Sequence, residues 1–293
     1  MAVVNTNVNA SVAQNALVRN ERNMNTAMER LSTGQRINSA SDDAAGLAIA
    51  SRMTSQIKGL ETGVRNANDA ISMISTADGA LVEVGNMLQR MRELALQASN
   101  GTTASADRDY LNMEYENLIT EIERIAQNTQ WNGKTILTGD ADTTDDAIVA
   151  FQVGANGGQT ISVNFGDISQ SGAATFAQFE LSAHVGTESH ISGATATAAQ
   201  THITGVLTYV DAAITAVNSQ RATYGAAMNQ LTYAIDNLSN VKVNSEAARS
   251  RIEDTDYAAE TSELARTQII HQAGVAMLAQ ANQVTATVLA LLR

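Results

Sequence analysis

The chain of 293 residues has no cysteine and no proline, and only 4% of it is aromatic, with Trp131 as its one tryptophan. Without cysteine there is no disulfide and no thiolate metal site. Without proline, nothing in the sequence forces a break in a helix. Scarce aromatics argue against a thick globular core and suit long, thin helices. Lysine and arginine are missing altogether from residues 135–220, which hold eight acidic residues, while the chain as a whole has a net charge of −12. No basic stripe is available to meet phosphates, so nucleic acid is not expected as a partner. Thr267–Leu292 lacks Asp, Glu, Lys and Arg. It is nevertheless dotted with Thr, Gln and Asn, whereas a membrane span needs about 20 predominantly apolar residues; no membrane insertion is expected. "MAVVNTNVNASVAQNALV" has neither the positive start nor the apolar run of a secretory signal.

What the chain does have is heptad spacing. Ala50, Met53, Ile57, Leu60, Val64, Ala67, Ile71 and Ile74 step by three and four, stumble at Asp78, and resume with Leu81, Val84, Leu88, Met91 and Ala95. Thr76–Gly79 reads as the weak point of that helix, Ser41, Asp42 and Asp43 as its start, and "SNGT" at 99–102 as its stop. A second helix is predicted from Ser105 through Leu111, Tyr115, Leu118, Ile122 and Ile125. A third stripe runs through Leu207, Val210, Ile214, Val217, Arg221, Tyr224, Met228, Leu231, Ile235 and Leu238. Sustained heptads predict helices packed along one another. Between them, "IVAFQVGANGGQTISVNF" alternates apolar and polar residues around "GANGG", as a β-hairpin does. The expected fold is mainly α: a long coiled-coil-like helical rod from both chain halves, with a β-hairpin and a small irregular or β insertion.

The two extremes are uncharged before Arg19 and before Arg293. Ile270, Gly274, Met277, Ala281, Val284, Val288 and Leu291 keep heptad spacing, and Val275, Leu278, Leu289 and Leu292 widen that face. The N-terminal face of Val4, Val8 and Val12 is too small to cover it. Helices so widely apolar must be buried somewhere, so the remainder is expected to meet other chains.

Readings as an enzyme find little support. Asp42 and Asp43 could form a carboxylate pair, but adjacent helical residues diverge by about 100°, so a helix start fits better. His184, Glu188, His190 and His202 lack the HExxH spacing of a metal site. No nucleophile–base pair, phosphate loop or dinucleotide fingerprint is visible, and neither a catalytic residue nor a cofactor or metal is expected.

"RLSTGQRINSASDDAAGLAIASRM", "LQRMRELALQASNGT", "NTQWNGKTIL", "FQVGANGGQTISVNF", "IEDTDYAAE" and the closing "QANQ" with "LLR" resemble bacterial flagellin, over about residues 1–165 and 203–293. The resemblance implies a subunit that self-assembles into the extracellular flagellar filament for motility. It also implies the layout: residues 1–41, the N-terminal half of a filament-core helical domain with its connector; 42–165, part of an inner-tube helical domain with a β-hairpin; 166–202, a short variable surface insertion; 203–252, the C-terminal part of the inner-tube domain; and 253–293, the connector and C-terminal half of the core domain. Polymerisation would fall to the terminal helices, with Val4, Val8, Val12, Ile270, Met277, Val284, Val288, Leu289, Leu291 and Leu292. Implied partners are other copies of the chain, a flagellar export chaperone, and filament cap and junction proteins. Export would use the flagellar channel, without a cleaved signal peptide. Vertebrate Toll-like receptor 5 is a further implied partner. Its face carries over to Gln89, Arg90, Leu94, Gln97 and Glu114, with Glu93 as the possible ion-pair partner of Arg90; relatives also use this face between subunits. Leu118 departs from the pattern, because strongly recognised relatives have arginine there. Two other readings are a hook–filament junction protein and a secreted, non-polymerising adhesive module.

Overall fold

The computed structural model describes residues 7–139, 147–168 and 196–290, with backbone alone for 196–202 and 284–290. Among the described residues, five helices carry most of the chain: α1 Val8–Thr33, α2 Ala44–Ala98, α3 Ser105–Asn128, α4 Ala196–Glu253 and α5 Tyr257–Ala290. Two antiparallel pairs of strands complete it, β1 Gln130–Trp131 with β2 Lys134–Thr135, and β3 Ile148–Gln152 with β4 Thr160–Asn164. The mainly α expectation and the hairpin are both met. No helix among the described residues is long and apolar enough to cross a membrane.

The chain forms two compact units, one of residues 1–57 and 243–293 and one of residues 58–242. In the second, the core is a ladder on α2: Ala67, Ala70, Ile74, Ala77, Leu81, Val84, Leu88, Met91, Ala95 and Ala98 are all buried. It steps by three and four without interruption, so the stumble expected at Asp78 does not occur. Ala77 takes the core position, and Asp78 turns outward to Arg221 of α4, 2.8 Å from its Nε. Facing this ladder are Tyr115, Ile119, Ile122 and Ala126 of α3, and Val206, Val210, Ala213, Val217, Tyr224 and Leu231 of α4.

The β3–β4 hairpin is fixed by its register, Ala150 opposite Ser162 and Phe151 opposite Ile161. Tyr224 Oη donates to the Phe165 carbonyl at 2.7 Å, and Gln220 Nε2 donates to that of Asn164 at 2.6 Å. At the other end, the hairpin loop lies against two glycines of α2. A Cβ on Gly63 would stand 2.7 Å from the Val153 carbonyl oxygen, and one on Gly59 3.0 Å from the Ala155 Cβ. Asn66 Nδ2, one helical turn on from Gly63, donates to the Gln152 carbonyl at 2.9 Å.

Helix ends follow capping chemistry. α1 opens with the Asn7 side chain accepting from Ala10 N and closes at Gly34, whose φ of 75° suits a residue without Cβ. Of the expected start Ser41, Asp42 and Asp43, it is Asp43 that caps α2, its carboxylate accepting from Gly46 N at 2.9 Å. Asp42 caps the preceding turn instead: Ser39 N and Oγ and Asn38 N all donate to it, and these bonds, that from Ser39 N first, hold its carboxyl below the usual range. Both carboxylates are thus turned to local donors, as a helix start requires. At the far end of α2, the buried Arg108 donates from Nε to the Ala98 carbonyl at 3.1 Å, setting a cation on the negative end of the helix dipole.

Of the expected insertion, residues 169–195 lie outside the described residues. α4 begins at Ala196, inside the span assigned to that insertion.

Candidate functional site

Two exposed helical surfaces carry the predicted residues, one in each unit. In the first unit, α1 and α5 lie antiparallel. Asn7 Nδ2 donates to the Ala281 carbonyl at 3.1 Å, Asn20 Nδ2 to that of Thr267 at 2.7 Å, and Arg30 Nη1 stands 3.7 Å from Glu260 Oε1. The seam follows heptads on both helices, with Ala10, Ala13, Leu17, Asn20, Met24 and Ala27 facing Glu260, Leu264, Thr267, His271, Gly274, Leu278 and Ala281. Small residues allow close approach: a Cβ on Gly274 would meet Leu17 Cδ1 at 3.1 Å.

The larger aliphatic side chains of this pair are mostly outside it. Val8, Val12, Val18, Ile269, Ile270, Val275 and Met277 are exposed, Val12 at 63% and Met277 at 65%. Val8, Val12, Ile270 and Met277 therefore stand free of the seam, which is not the stripe expected from the sequence. Within that stripe Gly274 and Ala281 reach the seam, while Ile270 and Met277 sit one residue before the seam positions His271 and Leu278. Val4, Leu291 and Leu292 lie outside the described residues, and so do the side chains of Val284, Val288 and Leu289.

The second surface is on α2 and α3. Arg90 joins the two helices, its Nε 2.9 Å from Glu114 Oε1 and its Nη1 3.1 Å from Glu93 Oε2. The bonds to Glu114, then to Glu93, raise its pKa further, so the guanidinium stays charged. All three groups are exposed, and such pairs contribute little to stability. Their effect is to hold Arg90 in one orientation. Gln89 and Gln97 are exposed on the same helix, and Tyr110 and Met113 stand exposed on α3 near Glu114. Leu94 is a correction: expected on this exposed face, it is fully buried, because it falls beside Met91 and Ala95 on the core ladder. Leu118 is partly buried against the core.

Asn20 and Thr267 were not expected as features of either surface. The sequence signal for Asn20 is the apolar heptad of α1, Ala10, Ala13, Leu17, Met24 and Ala27, in which it fills one step.

The family model for the bacterial flagellin N-terminal helical region matches residues 4–142, and that for the bacterial flagellin C-terminal helical region matches residues 207–292. The flagellin of Halalkalibacterium halodurans is 42% identical over 292 residues, covering 99% of this chain and all of that one. That of Xenorhabdus nematophila is 41% identical over 316 aligned positions, covering 100% and 99% respectively. The crystal structure of Bacillus cereus flagellin aligns with a TM-score of 0.48 at 32% identity, over 59% of this chain and 88% of that one. The two matched regions contain both terminal helices and the α2–α3 face, and the Halalkalibacterium and Xenorhabdus flagellins match along essentially their whole length: the chain belongs to the bacterial flagellin family.

Proposed function

We propose that this chain, a structural subunit of the extracellular bacterial flagellar filament by its family, polymerises through the outer surface of the α1–α5 pair. The observation that carries this reading is the pair itself, whose seam takes Leu17, Met24, Leu264 and Leu278 among small and polar residues and leaves Val8, Val12, Ile269, Ile270, Val275 and Met277 in solvent. Burying one such large side chain contributes roughly 1.5–3 kcal/mol, and in a single copy that contribution is unrealised. Neighbouring subunits supply the missing cover. Full-length similarity to flagellins favours the filament over a hook–filament junction protein or a non-polymerising adhesive module. On the same reading the subunit leaves the cell through the flagellar channel, with a chaperone over its apolar C-terminal helix, and meets cap and junction proteins at the filament ends.

The test is a double substitution, Ile270→Asp with Met277→Asp. Both side chains are exposed in the single chain, so its circular dichroism and melting should barely change. Buried unpaired in a filament, each carboxylate would cost several kcal/mol, and seeds should not elongate. Elongation at the wild-type rate would remove this surface from assembly.

A second reading is favoured by the held Arg90. Gln89, Arg90, Glu93, Gln97 and Glu114 form an exposed polar face for Toll-like receptor 5, with Leu94 beneath it as support. Arginine anchors dominate many interfaces, and truncation costs on the order of 1–4 kcal/mol. Arg90→Ala should reduce receptor signalling at limiting protein while helicity is unchanged; unaltered signalling would exclude Arg90 from the contact.

A further inference from the structure

We propose that the Met277 thioether is an oxidation site that decides whether a free subunit can join a filament, an inference that rests on the assembly surface proposed above. Met277 is 65% exposed on α5. Ile270 and Met277 each precede a seam residue by one position. They are seven residues apart and hold the same heptad position, so they form one apolar strip along α5. No Asp, Glu, Lys or Arg occurs between Thr267 and Gln283.

The chemistry needs a peroxide and nothing else. A sulfur lone pair attacks one oxygen of hydrogen peroxide, an S–O bond forms and the O–O bond breaks. The sulfur loses two electrons, and the second oxygen leaves as water. The product replaces a flexible apolar group with a polar, chiral sulfoxide that reductases can reverse. In a single chain the sulfoxide stays in water at little cost. On an uncharged strip closed against neighbouring subunits, its oxygen loses that water.

Two other methionines set the contrast. Met28 is exposed on α1 but adjoins Glu29 and Arg30, a surface already polar, and Met113 belongs to α3 in the other unit. Oxidation there should matter less to assembly. Because the strip is open before assembly and covered after it, oxidant would disable subunits still to be added and spare a finished filament.

The test uses the full chain treated with hydrogen peroxide until peptide mass spectrometry shows Met277 fully converted. Its critical concentration for elongating seeds should rise about tenfold or more, the scale of one unsatisfied buried polar group, and methionine sulfoxide reductase should restore it. Met277→Leu, untreated, should elongate and should keep doing so after the same treatment, whereas Met28→Leu should not be protected. Normal elongation by the oxidised protein, or equal loss in Met277→Leu, would overturn the inference. If Met277→Leu fails to elongate untreated, the reductase arm decides: no recovery with Met277 reduced again sinks it. Elongation by the untreated double aspartate variant would instead sink the assembly surface, which keeps the two failures apart.

Discussion

The two units solve the same packing problem in opposite ways. In the unit of residues 58–242, large side chains face inward: Ile74, Leu81, Leu88, Met91, Tyr224 and Leu231 are sealed among three helices and a hairpin. In the α1–α5 pair, Ala27 is the one hydrophobic residue among those described that is fully buried, accompanied by the polar Asn20 and Thr267. The first arrangement stabilises a single chain. The second leaves apolar surface open, and the buried Asn20 in its seam, bonded to the Thr267 carbonyl, fixes register at a cost in stability. The difference separates a unit with a sealed core from a helix pair that leaves most of its large side chains in water.

That contrast can be broken most severely at the C-terminus. Deleting Val284–Arg293 removes five large aliphatic residues from the sequence, worth on the order of 10 kcal/mol if all were buried in an assembly, as an upper bound. Seeded polymerisation should be abolished, while the melting transition of residues 58–242 is retained. A collapse of that transition would show that the tail supports the single chain's own core. Leu88→Ala should do the reverse. Leu88 is 1% exposed at the centre of the α2 ladder, so truncation should cost about 2–5 kcal/mol, read as a lower denaturation midpoint. A cost below about 1 kcal/mol would mean the ladder is not the core. The smallest effect tests the hairpin's seat. Gly63→Ala forces a Cβ to within 2.7 Å of a backbone oxygen, and overpacking of this kind costs typically 1–3 kcal/mol. Faster amide exchange should appear at Val153 and Gln159, whose backbones bond across the loop. Unchanged exchange there would show that the loop is not held by α2.

Much of this was legible in the sequence, and the errors share one cause. Helix existence and the hairpin follow directly from spacing and alternation, and the exposed Arg90 face from the resemblance. The exact seams do not, because heptad spacing alone favours the largest apolar residues. On α4 that gave Leu207, Ile214, Arg221 and Met228 alternate places in the stripe. The structure instead buries Val206, Ala213, Gln220 and Ala227, and leaves the former on the flanks. On α2 it buries Ala70 and Ala77, next to Ile71 of the expected stripe and Asp78 at its expected break. On α5 it takes Thr267, His271 and Leu278 beside Gly274 and Ala281. Closely approaching helices put small residues at the contact, and a small residue looks neutral in a hydropathy pattern. Leu94 is a different case: the resemblance alone puts it on the exposed face, and the core takes it beside Met91 and Ala95.

The two crossings beside α1 and α5 also set an order of events in folding. Asn20 and Thr267 are 247 residues apart in sequence, and Asn7 and Ala281 are 274 apart. Closing loops of that size in an unfolded chain is entropically unfavourable and slow. Once residues 58–242 have folded, Glu61 and Lys242 stand 4.0 Å apart, and the two exits of that unit are neighbours. Next to close is the short bridge at Gln35 and Asp254, where Arg36 N donates to Glu253 O at 2.6 Å and Thr255 N to Gly34 O at 3.0 Å. From there α1 and α5 zip outward, through Arg30 and Glu260, then Asn20 and Thr267, with Asn7 and Ala281 last. The pairing of Asn7 with Ala281, the described contact furthest from that bridge, is thus closed by the longest loop, so a single chain can lose it and keep the Gln35–Asp254 bridge.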